Sequence, residues 1–158
     1  MKEDLANARQ FMELAVEEAR KGMHAGKGGP FGAVVVKGGK VISIASNEVL
    51  SSSDPTAHAE IVAIRRAGTM LKTYDLTGCV LYTTGEPCPM CFSAIVWANI
   101  QEVYYGAPME EADTLGFRDT KIAGYFRGEE CCLTMTRVEN AALKELYEEY
   151  RTTGKTIY

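Results

Sequence analysis

The triplet His58-Ala59-Glu60 and the run Pro87-Cys88-Pro89-Met90-Cys91 constrain this chain most, because they demand a fold that brings two distant segments to one point. Together they offer one imidazole, two thiols and a carboxylate not needed for ligation. Three protein ligands of the N, S, S type suit zinc and leave the fourth tetrahedral position open for water, whereas a structural zinc site is closed by a fourth protein ligand. Zinc lowers the pKa of the water it binds to about 7, and Glu60 stands two residues from His58, ready to carry protons. The pattern reads as a catalytic metal centre with His58, Cys88 and Cys91 as ligands.

Spacing assigns the ligands to elements. Cys88 and Cys91 stand at i and i+3, on one face of a helix predicted from about residue 88 to 98, with Pro87 and Pro89 suited to its opening. A second helix, predicted from about 57 to 71 and capped by Asp54 or Thr56, carries His58. Residues 58 and 60 project from widely different sides of an ideal helix, so the ion is expected off the N-terminal end, where both side chains converge. Two positive helix ends then face the site and favour thiolate over thiol. A lone C-x-x-C also suits a redox pair, but that reading leaves His58 and Glu60 unexplained.

The rest of the chain frames these motifs. Leu5, Ala8, Phe11, Met12, Ala15 and Ala19 recur at helical spacing among charged residues, predicting an amphipathic first helix. Segments 32–36 and 41–46 are β-rich and flank Gly38-Gly39, a two-residue hairpin signal. Further strands are expected at 79–84 and 102–106, alternating with the two motif-bearing helices. Segment 108–125 has little periodicity, 133–138 is expected to add a fifth strand, and 139–151 a final helix. Segment 152–158 looks extended.

With 158 residues and 46% hydrophobic content, one domain spanning 1–158 is expected. Seventeen Lys and Arg against 21 Asp and Glu give a net charge of −4 without a basic run, which argues against a polynucleotide partner. Neither an apolar signal core nor a run of about 18 apolar residues is present, so a cytoplasmic location is expected. The five cysteines then point to metal or reduced thiols. Cys79 reads as a small buried hydrophobe, and neither the adjacent Cys131 and Cys132 nor His24 earns a catalytic role.

On these residues the chain resembles the cytidine deaminase-like superfamily of zinc deaminases, whose nucleobase-acting members carry H-x-E followed by P-C-x-x-C. Within it the chain looks most like the small bacterial guanine deaminases, through Gly28-Gly-Pro-Phe-Gly-Ala-Val34, Asn47, Asp54-Pro-Thr-Ala-His-Ala-Glu60, Glu86-Pro-Cys-Pro-Met-Cys91, Trp97, Gly116-Phe-Arg-Asp119 and Tyr158. The resemblance implies a three-layer α/β/α fold with a five-stranded mixed sheet and helices on both faces. It implies one zinc per subunit on His58, Cys88 and Cys91, and Glu60 as proton shuttle assisted by Asp119. It also implies substrate contacts from Phe31, Asn47, Trp97, Asp119 and Tyr158, and a homodimer whose C-terminal segment, about 152–158, is exchanged between subunits.

The activity so implied is hydrolytic deamination of a free purine base, guanine and water to xanthine and ammonia. Competing readings are a tRNA adenosine deaminase and a deaminase of cytosine or another small heterocycle, since pocket contacts rather than the metal select the base. The acidic final helix, with Glu139, Glu145, Glu148 and Glu149 against Lys144, opposes binding of a polyanion. A non-catalytic zinc protein would have no use for Glu60.

Overall fold

The computed structural model describes residues 5–131, 133–153 and 157. Its sheet has four strands in the order β2-β1-β3-β4: β1 (Gly32–Lys37), β2 (Lys40–Ser46), β3 (Cys79–Gly85) and β4 (Glu102–Ala107). β1 runs antiparallel to both β2 and β3, while β3 and β4 are parallel. Gly38 and Gly39 both take positive φ, 56° and 73°, which is the backbone a two-residue hairpin turn requires and glycine adopts at no steric cost.

Period-two alternation sorts the strands' side chains onto two faces. On one face Val34, Val36, Val80 and Tyr82 pack against Ala8, Phe11 and Ala15 of α1 (Leu5–His24). A Cβ on Gly32 would collide with the Ala15 carbonyl and the Ala19 N–H, so glycine there lets this helix lie close to β1. On the opposite face Ala33, Val35, Ala45 and Leu81 meet a stripe of small residues, Ala59, Val62, Ala63 and Ala67. That stripe belongs to the helix that follows the short α2 (Val49–Ser52), namely α3 (Ala59–Leu71). Ile95 and Ala98 join the same cluster from α4 (Pro89–Trp97) and the residue after it. Helices cover both faces, as a three-layer α/β/α fold requires.

Three expectations need correction, the first being the cap of the second helix: neither Asp54 nor Thr56 caps α3, whose N-cap is His58. Segment 133–138 is exposed and forms no strand; its β-rich composition is not enough, because a strand exists only when a neighbouring ladder takes up its N–H and C=O groups, and among the described residues none does. Segment 108–125, which lacks a long periodic pattern, folds into two short helices, α5 (Met109–Thr114) and α6 (Asp119–Phe126). They are held by tertiary hydrogen bonds rather than by an extended apolar face. The final helix α7 (Ala141–Thr152) buries none of its residues.

Candidate metal centre and active site

The two motifs converge because each sits at the start of a helix on the same side of the sheet. His58 is the N-cap residue of α3 and Cys88 that of α4, both with extended backbone, φ −63°. An N-cap side chain lies over the N2 and N3 positions of its own helix. Cys91, at N3 of α4, therefore faces Cys88, and Glu60, at N2 of α3, stands beside His58. Pro89 at N1 lacks an N–H, and so removes one of the donors that a helix start leaves without an intrahelical partner.

The donor atoms of His58, Cys88 and Cys91 all lie within 4.8 Å of one another. His58 Nδ1 is 3.6 Å from the Sγ of Cys88 and 3.6 Å from that of Cys91. A tetrahedral zinc with Zn–N of about 2.05 Å and Zn–S of about 2.3 Å calls for N···S edges of about 3.6 Å. The donor set fits zinc in both chemistry and spacing, with Nδ1 as the ligating nitrogen. Electrostatics favours a thiolate at Cys88, while Cys91 keeps its proton until a metal displaces it. A hydrogen bond from Cys91, with further help from His58, brings the Cys88 thiol down to about 4. The hydrogen bond to Cys88, followed by burial, pushes Cys91 up. Cys88, through its hydrogen bond above all, raises His58.

Glu60 is buried, and its two carboxylate oxygens have different neighbours. Oε1 accepts the hydroxyl of Thr83 on β3 at 3.1 Å, whereas Oε2 lies 3.5 Å from the Sγ of Cys91, on the metal side. Burial is the main force raising the Glu60 pKa above the ordinary carboxyl range. Asp119, the first residue of α6, lines the same cavity, and burial raises it too.

The cavity encloses about 640 Å³, and His58, Glu60, Cys88, Asn47, Phe31 and Asp119 line it. Asn47 is buried, and its Oδ1 accepts the Val49 N–H at 3.1 Å. Phe31 forms one wall, its ring meeting that of Phe117 edge-on with centroids 5.0 Å apart. Trp97 is not brought into this group: 65% exposed at the end of α4, it does not line the cavity. Tyr158 lies outside the described residues.

Four contributors had no role assigned from sequence alone. Phe117 belongs to the Gly-Phe-Arg-Asp segment, yet only the fold reveals that its ring reaches Phe31. Thr83 could have been found by alternation, since residues 79, 81 and 83 share the face that α3 covers. Asp113 of α5 accepts both the backbone N–H and the hydroxyl of Thr120, tying down the start of α6 where Asp119 sits. Glu86 does likewise for α5 by accepting the Met109 N–H at 2.9 Å.

Residues 5–107 match the family model of the cytidine and deoxycytidylate deaminase zinc-binding region. The chain is 50% identical over 116 residues to a guanine deaminase of Bacillus subtilis (strain 168), covering 73% of this chain and 74% of that protein. It is 45% identical over 97 residues to a tRNA-specific adenosine deaminase of Aquifex aeolicus (strain VF5), covering 61% of this chain and 64% of that one. The crystal structure of guanine deaminase from Bacillus subtilis superposes with a TM-score of 0.88 at 40% identity, over 95% of this chain and 98% of that one. With its N, S, S donor triad at two helix starts and a buried carboxylate beside it, this chain belongs to the family of zinc-dependent cytidine and deoxycytidylate deaminase-like enzymes.

Proposed function

We propose that this protein is a zinc-dependent guanine aminohydrolase, converting guanine and water to xanthine and ammonia. The observation that carries the reaction class is the approach of Glu60 Oε2 to the donor triad, 3.5 Å from Cys91, at the wall of a cavity large enough for a bicyclic base. The relationship to the Bacillus guanine deaminase, in sequence and over nearly the whole fold, selects the purine. Zinc held by His58, Cys88 and Cys91 would supply Lewis acidity, activating water at neutral pH.

The chain's own residues supply the rest. Glu60 takes a proton from the attacking water and returns protons to the ring nitrogen and the departing amine. In guanine the attack falls on C2: a C–O bond forms, the C–N bond to the exocyclic amine breaks, and ammonia leaves. Asp119, its carboxyl raised by burial, assists the transfer to the leaving group. Asn47 presents its Nδ2 to an acceptor on the base, since Oδ1 is already engaged by Val49. Phe31 packs against the flat ring, with Phe117 behind it. Burial, by raising the Glu60 carboxyl above its ordinary range, suits a group that must bind a proton as well as release one.

We also infer one domain spanning 1–158, acting in the cytoplasm as a homodimer whose exchanged C-terminal segment brings Tyr158 to the pocket, with Trp97 of α4 as a further substrate contact. Among the described residues no helix is long and apolar enough to cross a membrane. The exposed apolar side chains of α7 support an assembly that covers them. A tRNA adenosine deaminase is the second reading, supported by relatives such as that of Aquifex. A solved tRNA:A34 deaminase aligns with only 63% of this chain, at a TM-score of 0.61. Ammonia release from guanine, adenine, cytosine, adenosine and a tRNA anticodon stem-loop separates the readings. Release from guanine is expected; turnover of adenosine or cytosine with none of guanine overturns the proposal.

A further inference from the structure

Strand β3 ends beside the site, and its alternation sets what it presents there. Cys79 and Leu81 point into the apolar layer beneath α3, and Thr83, next in the same row, reaches the first turn of that helix. Thr83 is 1% exposed, so its hydroxyl has no access to bulk water and needs an internal partner. It finds one in Glu60 Oε1 at 3.1 Å. The adjacent Thr84 turns the other way, its hydroxyl accepting the Gly32 N–H at 3.1 Å. Only one of two neighbouring threonines therefore serves the carboxylate.

We infer that Thr83 is the positioning residue that divides the labour between the two oxygens of Glu60, anchoring Oε1 so that Oε2 alone faces the metal side and carries the proton. A Glu side chain has three rotatable bonds, and the last is soft, so a buried carboxylate without an anchor can turn about it. The hydroxyl's single proton is donated to Oε1, whereas Oε2 accepts from the Cys91 thiol at 3.5 Å and, once Cys91 binds metal as a thiolate, becomes the oxygen that takes up a proton and gives up the same proton later. The arrangement loses nothing when Glu60 is protonated on Oε2, because Oε1 still accepts from Thr83. One pose therefore serves both halves of the cycle.

This inference rests on the proton-carrying role proposed for Glu60, and its test does not depend on guanine being the substrate. Thr83→Val keeps the shape and removes the hydroxyl; Thr83→Ser keeps the hydroxyl and removes a methyl group. Zinc content, crystal structures of the zinc-loaded proteins, and kcat and KM are compared, with turnover read on whichever base of the panel the native protein deaminates fastest. Loss of a hydrogen bond to a charged group predicts a drop in kcat of about 10- to 100-fold in Thr83→Val with KM unchanged. Zinc is retained, and the Glu60 carboxylate turns or splits into two conformers. Thr83→Ser recovers both the pose and most of kcat. The inference is overturned by a Thr83→Val protein with native kcat, by an unmoved Glu60 carboxylate in its crystal structure, or by Thr83→Ser failing as badly as Thr83→Val. Loss of zinc from Thr83→Val also overturns it, since Thr83 would then act through the ligands. Failure of the native protein on guanine alone overturns only the substrate reading.

Discussion

Asn47 is oriented by Val49: the Val49 N–H, at the first residue of α2, donates to Asn47 Oδ1 at 3.1 Å and leaves the Nδ2 of a buried amide at the cavity wall. The pocket thus offers a donor there. A ring carbonyl or an unprotonated ring nitrogen can accept from it, whereas an exocyclic amine cannot. Gly28 makes this possible, because a Cβ there would collide with Asn47 Oδ1. Asn47→Asp keeps the acceptor for Val49 and removes the donor, so its fold should be retained while kcat/KM for guanine falls by about 10²-fold or more, the cost of leaving a buried polar group mismatched. Asn47→Ala should lose activity and, in addition, about 1 kcal/mol of stability from the orphaned Val49 N–H. Steady-state kinetics beside thermal unfolding distinguishes the two, and an Asn47→Asp protein with native kcat/KM would refute the orientation.

Metal binding should release protons in a number set by the ligands' unequal titration. Cys88, down at about 4, is already a thiolate at pH 7, whereas Cys91 and His58 are shifted up. Zinc needs all three deprotonated. Cys91 then gives up one proton and His58 a fraction, so calorimetry in buffers of different ionisation enthalpy should find between about one and two protons released. Binding should weaken as pH falls through the titration of these groups. Chelation should abolish ammonia release and zinc should restore it; activity surviving complete removal of the metal would contradict the proposed chemistry.

Glu60 sits buried at a cost that an uncharged isostere removes. Burial raises its carboxyl above the ordinary value, so the folded chain binds that proton more tightly than the unfolded chain does. The group's contribution to stability is therefore fully present below the unfolded carboxyl pKa of about 4.3 and is lost as pH rises through the folded value. In chelated protein, Glu60→Gln should melt higher than native protein at pH 7 to 8, by about 2–4 °C for each kcal/mol recovered, with the gap closing near pH 4. The same variant should retain zinc and lose about 10²-fold or more in kcat. A variant with native kcat would remove Glu60 from the mechanism.

How much of this was readable from residues alone follows from the range of the forces involved. The hairpin at Gly38 and Gly39 and the burial of α1 through Ala8, Phe11 and Ala15 are local or periodic and stand at the expected positions, whereas α3 has its cap at His58 rather than at Asp54 or Thr56. The capping role of Cys88 differs slightly from the helical position expected for it, without moving its thiol off Cys91. α5 and α6 were not readable, because six- and eight-residue helices carry little periodic signal. What fixes them is the pair of carboxylates Glu86 and Asp113 accepting N–H groups from Met109 and Thr120, 23 and 7 residues away. Segment 133–138 failed as a strand for the opposite reason: its composition suits a sheet, but pairing is not a property of composition.

The C-terminal helix yields the last expectation. Leu143, Leu146, Tyr147 and Tyr150 follow at i, i+3, i+4 and i+7, one apolar stripe along α7, and each is at least 43% exposed. Phe92, Val96 and Trp97 form a second exposed apolar group on α4, next to the ligand Cys91. A soluble helix with its apolar stripe uncovered is unfavourable, and the area involved marks an association surface. If a second copy covers it, native protein should sediment as a dimer. Leu146→Asp, which puts a charge in the middle of the stripe, should shift it towards monomer. Because the exchanged segment is proposed to complete the pocket, the monomeric variant should also show a raised KM for guanine while its zinc content stays at one per chain. Sedimentation velocity and kinetics on the same sample test this together, and a Leu146→Asp protein that remains dimeric with native KM would exclude the α7 stripe as the contact that builds the site.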